Sequence, residues 1–187
     1  GNLPSLKRLR ISGDVENVEY QFTSIPEVVF NIPSLTSLNF SGNTLTSVSE
    51  DISNLTNLDT LYLSLNQLSI IPNSIGNLNN LKYLNLYDNE LSSIPESIGE
   101  LNNLVKLSLE ENNLTAIPEN IGNLIGLEIL YINHNQLSYL PDTIGNLSSL
   151  IGFSIYHNQL ISLPESICDL PFSVNVSDNN LCEEFHY

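Results

Sequence analysis

The sequence predicts an α/β solenoid: a right-handed horseshoe of about eight stacked coils with a parallel sheet lining its concave face. Three observations carry this expectation. Apolar residues recur with a fixed period of 23, each period opens with strand-like alternation, and Asn, Pro and Gly return at constant offsets. A period of that size is what stacked-coil architectures leave in a sequence.

The period is set by Leu35, Leu58, Leu81, Leu104, Leu127 and Leu150, each 23 residues from the next. Each opens the pattern L-x-x-L-x-L-x-x-N-x-L-x-x-I-P-x-x-I-G-x-L, clearest in the coil from Leu81 to Leu101. One domain spans residues 1–187: an irregular first repeat at 6–34, regular repeats over 35–170, and a truncated last repeat or cap at 171–187. The first repeat carries about six extra residues before Phe22, and Asp14 stands at its Asn position. Gly1-Asn2-Leu3 reads as the end of a preceding I-G-N-L segment, and the opening Gly with no Met reads as a trimmed chain that has lost any targeting information.

Within L-x-x-L-x-L, alternate residues face in and out with the two-residue strand period. One coil cannot cover its own apolar face, so neighbours stack around a shared core. Asn43, Asn66, Asn89, Asn112, Asn135, Asn158 and Asn179 stand where the chain leaves the strand, where an amide both donates to and accepts from the backbone of adjacent coils. Pro then starts an extended return, since it fixes φ and has no N–H. Gly76, Gly99, Gly122 and Gly145 allow close backbone approach on the convex side.

These residues resemble the leucine-rich repeat family over essentially the whole chain. The match is nearest the 23-residue class of bacterial repeat proteins and plant intracellular Ras-group relatives. Plant receptor repeats are similar but carry one more residue, a Gly between Asn-x-Leu and Ile-Pro, which this chain lacks. The resemblance implies protein–protein interaction through the concave sheet, without enzymatic activity or a cofactor.

Eight parallel strands spaced by about 4.8 Å would extend roughly 35 Å. Repeat positions 3, 5, 7 and 8 are expected to face solvent from this sheet, and five of the eight tyrosines fall on them: Tyr62, Tyr83, Tyr87, Tyr131 and Tyr156. Exposed Tyr offers rigid contact area with a polar tip, the chemistry of interface hot spots, although aromatic residues also favour strands for their own sake. The candidate ligand-binding face comprises these tyrosines with Asn85, Glu110, Glu111, Ile129, Asn133, His134 and His157. Position 8 reads Asp88, Glu111, His134, His157 and Asp178 on successive coils. Imidazoles and carboxylates about 5 Å apart make His134 and His157 weak candidates for a divalent metal; a solvated polar edge is the plainer reading, and no metal site is assigned.

Composition narrows the partners. The chain has 21 acidic and 5 basic side chains, a net charge of −16, and 41% apolar residues. The apolar content argues against disorder. The charge disfavours nucleic acid and anionic membranes, and no apolar run reaches the ~20 residues of a spanning helix. Lys7, Arg8 and Arg10 leave only Lys82 and Lys106 further on. A negative groove suits a protein or peptide of basic character. A polysaccharide stacked on Tyr and bonded by Asn39, Asn85, Asn133 and Asn175 is the alternative, as in an adhesin-like surface protein; a structural spacer within a larger surface protein is a third. No nucleophile-elbow, phosphate-loop or zinc-protease motif is present.

Cys168 replaces the repeat Gly and Cys182 follows Leu181, 14 residues on, so a disulfide would staple the last coil. With the low Lys content and acidic surface, that pair leans towards an extracellular or cell-surface bacterial protein, a cytoplasmic one remaining open. Five N-x-S/T sequons, at Asn39, Asn54, Asn113, Asn146 and Asn175, are expected by chance in an Asn-rich repeat.

Overall fold

The structure, a computed structural model, describes residues 5–13 and 21–181. Among them, seven strands of three residues pair in parallel and in chain order as one sheet. They are β1 (Arg8–Arg10), β2 (Ser37–Asn39), β3 (Thr60–Tyr62), β4 (Tyr83–Asn85), β5 (Lys106–Ser108), β6 (Ile129–Tyr131) and β7 (Gly152–Ser154). The register repeats from pair to pair, Leu61 opposite Leu84 and Leu84 opposite Leu107. Between β1 and β2 the step is 29, from Arg8 to Ser37, which is the 23-residue repeat plus the six expected extra residues.

On the other side of each coil a single 3-10 turn returns the chain, as at Asn73–Asn77 and Glu96–Glu100, and successive turns stack on one another. Pro72, Pro95, Pro118, Pro141 and Pro164 start them with φ between −66° and −71°. That φ is the proline ring's own, and the missing N–H is one the first turn would leave unpaired. Where Ser49 stands in the same place, its side chain accepts from the Asp51 N–H at 3.1 Å instead.

Leu58, Leu81 and Leu127 from the strand side and Ile52, Ile98 and Ile144 from the turns are fully buried in one continuous core. Polar groups inside are bonded by an asparagine ladder. Asn89 Nδ2 donates to the carbonyls of Leu86 in its own coil and Leu63 in the previous one, both at 3.1 Å, while its Oδ1 accepts from Leu68 N–H at 3.0 Å. The same pattern recurs at Asn66, Asn112, Asn135 and Asn158. The turn glycines are there for space: a Cβ on Gly99 would sit 2.2 Å from the carbonyl oxygen of Asn120 in the next coil.

Three expectations change. The eighth strand reduces to one bridge, Ser154 to Asn175. Its cause lies in the chain before it. Leu55, Leu78, Leu101, Leu124 and Leu147 leave their turns with ψ between 55° and 63°, whereas Leu170 leaves with ψ 139°. Pro171 follows Leu170 directly, which favours the extended region, although Ile32 before Pro33 keeps ψ 74° where a full coil packs after it. The last coil departs in another direction. Next, Cys168 is a free, exposed thiol beside an apolar opening of about 250 Å³ at that end of the core; Cys182, its expected disulfide partner, lies outside the described residues. Asp14, Gly1-Asn2-Leu3 and His186 also lie outside them. Finally, not all positions assigned to solvent are exposed: Ser64, Ser108 and Asn133 are buried.

Candidate ligand-binding surface on the sheet

The parallel register makes columns of the outward residues. Position 3 runs Arg8, Ser37, Thr60, Tyr83, Lys106, Ile129 and Gly152; position 5 runs Arg10, Asn39, Tyr62, Asn85, Ser108, Tyr131 and Ser154. Tyr62, Tyr83 and Tyr131 therefore share one face, Tyr83 being 40% exposed. Tyr83 lies beside Lys106, Tyr62 beside Asn85, and Tyr131 beside Ser108, while Ile129 is half-buried beside Lys106. The Lys106 ammonium stands 4.9 Å from the centre of the Tyr131 ring, a cation–π distance.

Just past the strands, positions 7 and 8 form a rim. Leu65, Asp88, Glu111, His134, His157 and Asp178 all adopt φ between 53° and 57°, and Gly42 sits at 73°. A left-handed residue here turns the chain off the sheet, so each position-8 side chain leaves in the same direction as its neighbours. Position 7 places Tyr87, Glu110, Asn133 and Tyr156 in the adjoining column. Asn133 contributes little free surface, being 8% exposed.

The rim divides into two electrostatic stretches. In the first, Asp88, Glu110 and Glu111 surround Tyr87, whose phenol is held above its ordinary value by desolvation and then by those three carboxylates. Burial pushes the Glu110 carboxyl up, against the opposing pull of a backbone hydrogen bond and of Lys106; its Oε2 has no hydrogen-bond partner among the described residues. In the second stretch the rings of His134 and His157 stack, with 4.5 Å between centroids and 29° between planes. Tyr156 meets both edge-on, at 5.2 Å and 5.3 Å. Glu111 Oε1 lies 3.8 Å from His134 Nδ1, and Asp178 Oδ2 lies 3.3 Å from His157 Nε2. Imidazole lone pairs lie in the ring plane, so stacked rings do not converge on one ion. Among the described residues no group of three or more His, Cys, Asp and Glu side chains could hold a metal.

Two residues outside the sequence-derived set adjoin these tyrosines. Lys106 and Ser108 line, with Tyr62, Tyr83, Leu84 and Asn85, a hollow of about 80 Å³. The signal was in the position-5 column: a Ser between Asn85 and Tyr131 is short where its neighbours are long. Glu110 and Glu111 face different surroundings, one half-buried and one on the open rim, so adjacency in sequence does not make them a pair.

Fold, ladder and sheet face together define a repeat solenoid that displays side chains from a rigid array of parallel strands. The chain belongs to the leucine-rich repeat family: a family model described as a leucine-rich repeat region matches residues 67–171, and one described as leucine rich repeat matches 19–68. Among solved structures it is similar to a leucine-rich repeat protein of Leptospira interrogans, at 26% identity and TM-score 0.70, covering 97% of this chain and 57% of that one. It is also similar to the plant peptide hormone receptor RGFR1 in complex with RGF2, at 34% identity and TM-score 0.75, covering 94% of this chain and 27% of the receptor. The PEPR1–AtPEP1 crystal structure gives 34% identity and TM-score 0.77, with 94% of this chain and 25% of that one covered. The chain thus spans from a quarter to somewhat over half the length of these proteins. A search of curated proteins finds no match. No helix among the described residues is long and apolar enough to cross a membrane.

Proposed function

We propose that this chain is a non-enzymatic recognition module that binds an extended peptide or protein segment, of basic character overall, across its sheet face outside the cell. The observation that carries the reading is the alignment of Tyr62, Tyr83 and Tyr131 on one face of strands held by a continuous core. Anchoring aromatics on a scaffold that does not have to reorganise is an economical way to bind a chain that must itself become ordered. The carboxylates of Asp88, Glu111 and Asp178 on the rim supply attraction for cationic side chains. One of the similar structures is a plant peptide hormone receptor in complex with RGF2, which supports the same class of ligand and an extracellular setting.

The test is selection from a displayed peptide library, followed by affinity measurement on the protein carrying Tyr62→Ala, Tyr83→Ala and Tyr131→Ala together. Loss of binding with an unchanged melting temperature supports the face; retained affinity rejects it. Affinity for a basic peptide should fall as salt rises. If binding is instead found only with polysaccharides and is insensitive to salt, the sugar-binding alternative replaces this reading.

A further inference from the structure

We propose that the hollow between β3, β4 and β5 is an anchor pocket for a single carboxylate carried by the bound peptide, with Lys106, Ser108 and Asn85 as its donors. The inference rests on the sheet face being the recognition surface and specifies one chemical group of the ligand.

Ser108 lines the hollow, and its hydroxyl makes no hydrogen bond with another described residue, which leaves it open to a ligand oxygen. Asn85 sits next to it on the neighbouring strand, and its Oδ1 is fixed by the Tyr87 N–H at 2.9 Å. That bond fixes which way the amide faces and leaves Nδ2 available to donate. Lys106 supplies the charge. Its ammonium has no carboxylate within 4.0 Å among the described residues; it lies 4.9 Å from the centre of the Tyr131 ring and feels Glu110 only from further off. A cation with no carboxylate in direct contact, next to a hydroxyl with no protein partner among the described residues, is conspicuous in a chain with 21 acidic residues.

No acidic side chain lines the hollow. It presents three donors and one positive charge, with Tyr62 and Tyr83 as walls. The complement is a small anion with two acceptor oxygens. A carboxylate matches the single positive charge, whereas a phosphate dianion would leave one charge unmatched inside a strongly negative molecule. The carboxylate belongs either to an Asp or Glu side chain or to the peptide's terminus.

The experiment is an NMR titration of the ¹⁵N-labelled protein with N-acetylglutamate α-amide, which carries a side-chain carboxylate. N-acetylglycine supplies a terminal carboxylate, and N-acetylglycinamide is the neutral control. Saturable shifts are expected at Asn85, Lys106 and Ser108 with one or both carboxylates, the stronger one identifying the source, and none with the neutral amide. Lys106→Met should abolish them, and Ser108→Ala should weaken binding about tenfold while the remaining spectrum stays in place. Shifts elsewhere only, shifts equally strong with the neutral amide, or undiminished shifts in Lys106→Met would overturn the pocket. A selected peptide that still needs the three tyrosines but ignores Lys106→Met would remove this anchor alone and leave the recognition face standing.

Discussion

The side-chain amide of Asn112 donates to the carbonyl of Leu86, 3.0 Å away in the preceding coil, while its own carbonyl oxygen accepts from the N–H of Leu91 at the same distance. One residue thereby closes the turn of one coil against the next. Asn112 is 7% exposed, so its removal would strand several buried polar groups together. Asn112→Ala should cost about 3 kcal/mol in urea unfolding, taking roughly 1 kcal/mol for each stranded partner. Asn179, at the less covered end, has the same contacts but is only half-buried, and Asn179→Ala should cost about 1 kcal/mol or less. Equal losses at both positions would mean that burial does not set the ladder's contribution.

Gly99 and Cys168 occupy the same repeat position in different surroundings. A Cβ at Gly99 would overlap the backbone of Asn120, which cannot swing aside as a side-chain tip could. Gly99→Ala should therefore destabilise by about 1–3 kcal/mol, the usual range for overpacking. Cys168 is exposed because no turn covers it among the described residues, and Cys168→Ala should leave the unfolding midpoint nearly unchanged. Parallel denaturant curves of the two variants check the contrast.

Leu65 is the one aliphatic residue in the left-handed rim column, with φ 57° and 41% exposure. It suffers the Cβ penalty of that region and recovers little by burial. Asn tolerates the left-handed region better, so Leu65→Asn should stabilise the fold by about 0.5–1 kcal/mol, read as a rise in melting temperature. A fall would show that Leu65 packs against something that outweighs its strain.

The folded-state pKa of Glu110 is raised, chiefly by desolvation, so the fold favours its protonated form. Ionisation consequently costs the folded protein more than the unfolded chain. The stability that goes with the proton is present in full on the acid side and is lost as pH rises from 4.5 through the raised value. Glu110→Gln removes this dependence. At pH 7 it should raise the melting temperature modestly, by roughly 1–2 °C after allowing for solvent screening of a half-exposed group, and the difference should close below pH 4.5. A lower melting temperature for the variant at pH 7, with the difference again closing on acidification, would mean that the attraction of Lys106 dominates instead.

The fold was legible because each coil repeats the same local instructions. Leu at the inward strand sites, Asn at the turn, Pro at the return and Gly at the close approach each satisfy a separate constraint. A strict period of 23 then places identical constraints side by side. The same arithmetic put Tyr62, Tyr83 and Tyr131 in adjoining columns without coordinates. The irregular last coil was not legible from Pro171 alone, since Pro33 stands at the same repeat position after Ile32 and leads into a regular strand.

Sequence alone therefore determined the architecture, the register and which residues face outward, since all three follow from periodicity and backbone chemistry. It did not determine how far each outward residue stays exposed. That depends on the lengths of side chains from neighbouring strands, which covered Asn133 and Ser108 and opened a hollow beside Lys106. The stack of His134 on His157 has the same origin: a left-handed turn at every coil sends both side chains the same way, and only the spacing of folded coils brings their rings face to face. Contacts made across coils depend on side-chain size and direction in three dimensions, and those are decided when the coils pack.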